Sequence, residues 1–93
     1  MTDFEIVEAV RVRVLDGHRL EIVFDDDTTG VIDLTDFVSS GEVTEPLRDP
    51  AYFRRVFIEM GTPTWPNGCN IDPINAQMQM REARTLRAVS AAA

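Results

Sequence analysis

The strongest pattern in the sequence is Val10-Arg11-Val12-Arg13-Val14-Leu15-Asp16-Gly17-His18-Arg19-Leu20-Glu21-Ile22-Val23-Phe24. In its first part valines alternate with arginines, so one face of an extended chain is apolar and the other is charged. The alternation resumes with Leu20, Ile22 and Phe24 on the apolar face. Asp16-Gly17 between the two runs is a typical tight-turn dipeptide. This pattern predicts a β-hairpin.

The residues after the hairpin extend the sheet and then leave it. Gly30 to Leu34 predicts a third strand, which completes a three-stranded meander. Thr35 is expected to cap a short helix over Asp36 to Ser40, with Gly41 as its stop. Asp49-Pro50 pairs an N-cap acid with a proline at the first helical position, and it predicts a second short helix ending near Arg55.

The last third predicts a second hairpin and a longer helix. Val56 to Met60 reads as a strand, Gly61 to Pro63 as a turn, and Thr64-Trp65 as a return strand that Pro66 ends. Asn67-Gly68 forms another turn. Asp72-Pro73 opens a C-terminal helix running to about Leu86. The expected core is Val10, Val12, Val14, Leu20, Ile22, Phe24, Leu34, Phe37, Leu47, Phe53, Ile58 and Trp65.

These elements predict the α+β class: a small antiparallel sheet, made of an N-terminal three-stranded meander and a second hairpin, with two short helices and a C-terminal helix. Ninety-three residues suit one domain over 1–93, and we expect fraying from about residue 88. A composition of 44% hydrophobic and 27% charged residues is typical of a globular chain.

Charge is distributed unevenly along the chain. Residues 1–47 hold twelve acids against three arginines, a net charge of −9, whereas residues 48–93 have a net charge of +2. An acidic domain repels a phosphate backbone, so direct nucleic-acid binding is disfavoured and a basic partner is favoured.

Residue content also argues against several other classes. One Cys and one His cannot build a disulfide or a metal framework, and no cofactor motif is present. The acidic start Met1-Thr2-Asp3-Phe4-Glu5 lacks a signal-peptide pattern, and no apolar run is long enough to cross a bilayer. We therefore expect a cytoplasmic protein without membrane contact.

Three motifs resemble those of a family of short bacterial proteins catalogued as domain of unknown function 2442. They are Trp65-Pro66-Asn67-Gly68 followed by Ile71-Asp72-Pro73, the run from Phe24 to Leu34 leading to Gly41, and Pro46-Leu47-Arg48-Asp49 before Phe53. The resemblance covers residues 8 to 75. It implies an α+β fold, no assigned activity and, by analogy with the gene neighbours of some members, a toxin–antitoxin type of partnership.

The resemblance is accompanied by differences. Family members commonly have Ala-Asp where this chain has Cys69-Asn70, and the helix after Pro73 is longer here than in many short members. Some longer relatives carry a C-terminal helix-turn-helix DNA-binding region, for which the twenty residues after Pro73 are too few.

The acidic turn is the one stretch that matches a metal motif. Asp25, Asp27, Thr29, Gly30, Ile32, Asp33 and Asp36 occupy positions 1, 3, 5, 6, 8, 9 and 12 of an EF-hand calcium loop. Position 12 is an Asp rather than the usual Glu, and strand periodicity precedes the loop where an EF-hand needs a helix. An acidic hairpin turn is the favoured interpretation, and calcium binding is kept as an alternative.

No residue predicts catalysis. His18 follows a turn glycine without a nucleophile or an orienting group in a recognisable spacing, so an exposed turn histidine is favoured. Cys69 has no neighbouring positive charge in sequence to activate it, which favours a buried or half-buried structural thiol. We expect no catalytic, cofactor-binding or metal-binding residues.

The last helix is the candidate partner surface. Arg81, Arg84 and Arg87 recur every three residues, and Met78, Met80, Ala83 and Leu86 provide a soft apolar surface that suits adaptable interfaces or, alternatively, covers the domain's own sheet. Possible contact residues are Met78, Arg81, Arg84, Trp65 and Asn67. We expect a protein-binding module, for which an antitoxin-like role is one candidate. Its partner would be a neighbouring gene's product or a second copy. An accessory domain of a DNA-associated regulator is the alternative.

Overall fold

A computed structural model describes residues 6–89 and shows an antiparallel α+β fold. Its strands are β1 (Ala9–Leu15), β2 (Arg19–Phe24), β3 (Thr28–Asp33), β4 (Phe57–Glu59), β5 (Thr62–Thr64) and β6 (Arg87–Ala88). Its α-helices are α1 (Thr35–Val38), α2 (Pro50–Phe53) and α3 (Pro73–Ala83), and a 3₁₀ helix spans Glu45–Arg48. One sheet has the order β1-β2-β3-β6, and β4 and β5 form a second. The predicted fold class is confirmed.

The hairpin at the start of the chain forms as its alternation predicts. Val14 pairs with Leu20 and Val12 with Ile22, so the apolar residues of both strands share one face. Gly17 takes a φ of 69° in the connecting turn, a conformation that glycine adopts without steric cost.

Val10 was expected in the core, and this prediction is wrong. The pairing register shifts between Ala9 and Arg11, because Ala9 is opposite Phe24 while Arg11 is opposite Val23. The β-bulge leaves an extra residue in β1 and reverses which residues face inward. Ala9 is therefore buried, whereas Val10 is 56% exposed.

The C-terminal helix is shorter than predicted. It ends at Ala83 rather than Leu86, because Arg84 turns into the left-handed region with a φ of 62°. The amide of Thr85 then donates to the carbonyl of Met80 at 2.8 Å and closes the helix end. The fraying expected from about residue 88 does not hold for Ala88, which pairs with Thr28, or for Val89, whose amide donates to the carbonyl of Asp27. Residues 90–93 lie outside the described residues, as do residues 1–5, where no signal-peptide pattern is expected.

The chain after α3 adds an unpredicted fourth strand to the first sheet. In β6, Arg87 pairs with Thr29 and Ala88 with Thr28. The sheet therefore gains a short strand at the edge that β3 would otherwise leave open.

The Asp-Pro pairs begin helices as predicted. The side chain of Asp49 accepts from the amide of Ala51 at 3.0 Å, and that of Asp72 accepts from the amide of Ile74 at 3.0 Å. The second of these helices, α3, carries the candidate surface, so its starting point is set by a cap that the sequence shows.

The prediction for α1 is wrong in detail. Thr35 is the first helical residue and not the cap, and Asp33 Oδ1 instead accepts from the amide of Thr35 at 2.9 Å. The helix ends at Val38, so Gly41 is not its stop. The carbonyl of Gly41 accepts from Arg48 Nη2 at 2.9 Å, which ties the following loop to the 3₁₀ helix.

The second hairpin turns earlier than predicted. Met60 and Gly61 both have positive φ at the turn, and Pro63 lies within β5 opposite Ile58 instead of in the turn. A proline is compatible with this two-stranded sheet because its missing amide lies where no ladder bond is required. The Asn67-Gly68 turn is confirmed, with Gly68 at a φ of 91°.

The core joins the first sheet to the helices and to β5. Seven predicted residues are buried there: Leu20, Ile22, Phe24, Leu34, Leu47, Phe53 and Trp65. Val12, Val14, Phe37 and Ile58 are partly buried against them. Trp65 is completely buried, and its Nε1 donates to the carbonyl of Phe53 at 2.9 Å. The indole thus contributes both apolar burial and a satisfied polar group.

Candidate functional site

The buried side of helix α3 packs on the core face of the first sheet, over β3. Ala76, Gln77 and Met80 are the buried residues of the helix. A Cβ at Gly30 of β3 would lie 2.7 Å from Met80 Sδ and 3.0 Å from the carbonyl oxygen of Thr85. A side chain at position 30 would displace the Met80 side chain and press on the Thr85 carbonyl, so glycine favours the close approach of α3 to the strand.

The opposite side of α3 exposes an apolar stripe that ends in a cation. Ile74 is 41% and Met78 is 51% exposed, and Arg81 is exposed after them. Positions 74, 78 and 81 are spaced by four and three residues, so they lie on one helix face. The predicted placement of Met78 and Arg81 at the surface is consistent with this geometry.

Two other residues assigned to this surface behave differently. Met80 is 1% exposed and packs into the domain's own core, because it follows Ala76 and Gln77 on the buried side of the helix. Arg84 is exposed, but it adopts the left-handed conformation just after the helix. It therefore does not continue a helical stripe from Arg81.

A buried glutamine joins α3 to the acidic turn, which we define as Asp25–Asp27 between β2 and β3. Gln77 Nε2 donates to Asp26 Oδ2 and to Thr28 Oγ1, both at 3.0 Å. Arg81 Nη2 lies 3.4 Å from Gln77 Oε1 on the same helix. The acidic turn and α3 are therefore joined by side-chain hydrogen bonds and lie beside each other. No local sequence pattern marks Gln77 for this contact, because its partner Asp26 lies 51 residues earlier.

The same contacts keep Asp26 ionised. Partial burial raises the pKa of Asp26, but hydrogen bonds from Thr28 and Gln77 lower it more, so the net pKa lies below the ordinary aspartate value. Asp25 is tied to the start of β1, because its Oδ1 accepts from the amide of Glu8 at 3.2 Å. The acidic turn is thus an ordered, negatively charged feature beside α3.

On its other flank α3 borders a cleft of about 610 Å³, which we call the α1–α3 cleft. Its apolar lining consists of Ile32, Leu34, Phe37, Ile71 and Ala76. Its exposed polar lining consists of Asp33, Asp36, Ser40, Asn70, Asp72, Asn75 and Gln79. An apolar concavity bordered by a few polar groups is the usual form of a binding site.

Local structure holds two of the three carboxylates of the cleft in place. Asp33 Oδ1 accepts from the hydroxyl of Thr35 at 2.7 Å as well as from its amide, and these bonds lower the pKa of Asp33. Asp72 Oδ1 caps α3. Asp36 lies in the first turn of α1, where the helix dipole favours a negative charge. The cleft is therefore negatively charged at neutral pH.

Two residues proposed for a partner surface, Trp65 and Asn67, have structural roles in the fold. Trp65 cannot contact a partner because it is fully buried. Asn67 is exposed, but its Nδ2 donates to the carbonyl of Val43 at 3.1 Å and its Oδ1 accepts from the amide of Cys69 at 3.1 Å. Asn67 thus fastens the turn after Trp65 to the loop before the 3₁₀ helix.

His18 and Cys69 are packing residues. His18 is half-buried rather than exposed, because its ring packs edge-on against Phe53 with centroids 4.9 Å apart and its Nε2 lies 3.2 Å from the carbonyl oxygen of Arg48. The predicted burial of Cys69 is confirmed, and its Sγ lies 3.3 Å from the carbonyl oxygen of Val43.

The calcium-loop pattern does not form an EF-hand loop. Gly30 and Ile32 lie in β3, where they pair with Ile22 and Leu20, and the preceding element is a strand. The extended backbone of β3 separates the acidic turn from Asp36. Within residues 6–89, no three His, Cys, Asp or Glu side chains are grouped so that they could hold a metal ion.

Comparison with known proteins places the fold in a family. The family model described as "Protein of unknown function (DUF2442)" matches residues 9–75, from β1 to the first turn of α3. The chain belongs to this family. Comparisons with curated proteins and with solved structures found no match.

The DUF2442 match has a boundary that bears on the candidate surface. The acidic turn and most of the α1–α3 cleft lie inside the matched residues, whereas Gln77, Met78 and Arg81 lie beyond them. In the part of the chain that the structure covers, no helix has the length and apolar content needed to span a bilayer.

Proposed function

We propose that the chain is a non-catalytic protein-binding module whose partner presents a basic, amphipathic segment to α3. One observation carries the proposal: the exposed face of α3 lies between two groups of carboxylates from the acidic N-terminal half. The acidic turn is on one flank, joined through Gln77, and the α1–α3 cleft is on the other.

The chemistry of the face favours a protein as the partner. Ile74 and Met78 offer exposed apolar contact area, and methionine adapts to the shape of what it contacts. The surrounding carboxylates attract cations and accelerate encounter with a basic surface. A partner segment with apolar residues on one face and Arg or Lys at its margins complements both features.

The proposal extends to an antitoxin-like role in the cytoplasm. It draws on the resemblance of some family gene arrangements to toxin–antitoxin pairs, and on the charge, because an acidic antitoxin complements a basic toxin. The product of the neighbouring gene is then the first partner to test.

Co-purification with matched variants tests the proposal. The tagged chain is expressed in its native cells, and the neighbouring gene product is measured in the purified fraction. Met78→Glu places a charge in the apolar stripe, whereas the control Val43→Glu makes the same change at a residue that is 71% exposed in the loop before the 3₁₀ helix. We expect Met78→Glu to lose the partner and Val43→Glu to retain it.

Two outcomes would contradict the proposal. One is a chain that purifies alone with the neighbouring product present in the cells, and the other is equal loss of partner in both variants. A DNA gel shift at low salt that disappears with Arg81→Gln and Arg84→Gln would instead support an accessory role in a DNA-associated regulator.

A further inference from the structure

The outer face of the first sheet, on the side away from the core, carries a charge opposite to that of the rest of the chain. Alternation from the buried Leu20 and Ile22 places Arg19, Glu21 and Val23 on this face. Arg19 pairs with Leu15 of β1 and Asp33 of β3, and Glu21 pairs with Arg13 and Val31. Val23 pairs with Arg11 and Thr29. Arg87 joins the last rung opposite Thr29.

This arrangement collects every arginine of the acidic half on one side of the sheet. With Arg87 the outer face has four arginines against Glu21 and Asp33, a net charge of +2, while the remaining residues have a net charge of −9. Arg13 Nη2 lies 2.8 Å from Glu21 Oε1, so one pair is already matched within the face. The other arginines give the face its excess of positive charge.

Apolar side chains lie between these charges. Leu15, Val23 and Val31 are half-buried, and the bulge adds Val10 at 56% exposure. Among the described residues, the helices direct their buried side chains to the opposite face; for example, Phe53 and Met80 belong to the core cluster. The outer face therefore combines cations and aliphatic surface that no described helix covers.

We propose that the outer sheet face docks an acidic, extended segment of a protein partner. Arg11 and Arg13 are two residues apart along β1, a spacing of about 7 Å in a strand. Carboxylates at alternate positions of an extended peptide have the same spacing. One can bind Arg11, and the next can join Glu21 on the guanidinium of Arg13, whose side chain is 68% exposed. Apolar residues of the segment then contact Val10 and Val23.

Charge and residue type argue against two other occupants. A second copy placed face to face would oppose two surfaces of the same net sign. Single-stranded nucleic acid binds by stacking its bases on aromatic side chains. The apolar residues of this face are leucine and valines, which cannot stack in this way. This docking site lies across the sheet from α3, and it shares with the surface proposed for that helix only Asp33, which is at the end of β3 and also borders the α1–α3 cleft.

NMR titration with defined probes tests the docking site. The main probe is an eight-residue peptide with glutamates at alternate positions and serine or valine between them, and the matched control peptide has glutamine in place of glutamate. We expect amide shifts concentrated in β1 and β2 with the glutamate peptide, at least tenfold weaker binding of the glutamine peptide, and weaker binding as salt increases.

Matched variants locate the binding. Arg11→Glu is expected to lower the affinity for the glutamate peptide at least tenfold, and Arg11→Gln is expected to lower that affinity less. The control Arg55→Glu makes the same charge change at an exposed residue after α2, which contacts the ring of Tyr52, and it is expected to leave the peptide affinity within twofold.

Several results would overturn the inference. One is the absence of any amide shift at millimolar concentrations of the glutamate peptide. Another is an equal loss of peptide affinity in Arg11→Glu and Arg55→Glu, and a third is a set of shifts that map to α3. Oligothymidine that shifts the same amide signals, binds with higher affinity than the peptide and loses affinity in Arg11→Glu would also overturn it.

Discussion

Replacing Gln77 by glutamate tests the junction between α3 and the acidic turn with a change of almost no volume. Gln77 is 5% exposed and donates two hydrogen bonds, one of them to the Asp26 carboxylate. Gln77→Glu removes the donor and places a second carboxylate about 3 Å from the first. The variant therefore loses two bonds and gains a like-charge repulsion.

The size of the effect follows from these contacts. Two hydrogen bonds contribute about 1 kcal/mol each to the free energy of unfolding. Repulsion between unit charges at this separation adds about 1–2 kcal/mol in a water-like surrounding. Hydration of the exposed Asp26 and attraction from Arg81 offset part of the sum, which leaves a loss of about 2 kcal/mol at pH 7. A domain of this length then melts about 8–16 °C lower.

The loss is expected to depend on pH. The pKa of Asp26 is depressed in the folded wild type, so the stability it contributes is present above the unfolded-state pKa and is lost as pH falls through the folded-state pKa. In Gln77→Glu the repulsion between Asp26 and Glu at position 77 favours protonation of the pair and so raises its pKa. Lowering the pH therefore adds a proton to the pair and removes the repulsion. The difference in melting temperature between variant and wild type should therefore shrink to less than half between pH 7 and pH 4.

Thermal unfolding followed by circular dichroism at both pH values measures this difference. Gln79→Glu is the control, because Gln79 is exposed on the same helix and its Nε2 bonds only weakly to Asn75, at 3.3 Å. We expect the control to melt within about 2 °C of wild type. Equal melting temperatures for the two variants would show that the Gln77–Asp26 contact does not stabilise the fold. A decrease in the melting temperature of Gln77→Glu that does not depend on pH would refute the proposed charge repulsion.

Three further outcomes are expected. Trp65→Phe leaves the buried carbonyl of Phe53 without its indole donor and should cost about 2–3 kcal/mol in urea unfolding; a cost below 1 kcal/mol would contradict that contact. Thr35→Val removes a hydroxyl donor and should raise the pKa of Asp33 in an NMR titration, and an unchanged pKa would contradict the bond. The accompanying loss of stability should be present at pH 7 and disappear as the pH falls through the depressed pKa. Val10→Glu should change the free energy of unfolding by less than about 0.5 kcal/mol, and a larger loss would argue against the bulge.

Local sequence signals predicted the fold wherever one residue pair determines the backbone. Asp16-Gly17 marks the hairpin, and Asp49-Pro50 and Asp72-Pro73 mark helix starts, because the turn glycine and the capping carboxylates act on their immediate neighbours. Alternation identified the buried face of β2 for the same reason. These features require no knowledge of distant residues.

The errors arise where a partner distant in sequence decides. Val10 keeps the alternation of its neighbours, yet the register opposite Phe24 places a bulge there. The strand β6 has only two residues and forms because it pairs with β3. Neither pattern is visible locally.

The candidate site was predicted only in part for the same reason. Met78 and Arg81 could be assigned to a surface from the composition of the helix, but Gln77 bonds to a residue 51 positions earlier. Trp65 occurs in a distinctive motif that also suits a binding surface, and only the packing shows that it is buried. Conversely, the arginines of β1 and β2 became a candidate surface only when the strand register placed them on one face.

Photo-crosslinking in native cells can show whether the exposed face of α3 touches the partner. A photoreactive amino acid is placed at position 78 in α3, and in a second chain at position 43 as the control. We expect the neighbouring gene product, identified by mass spectrometry, to form an adduct with position 78 and not with position 43. Adducts of equal yield at both positions, or none at position 78 while the neighbouring product is present, would contradict this expectation.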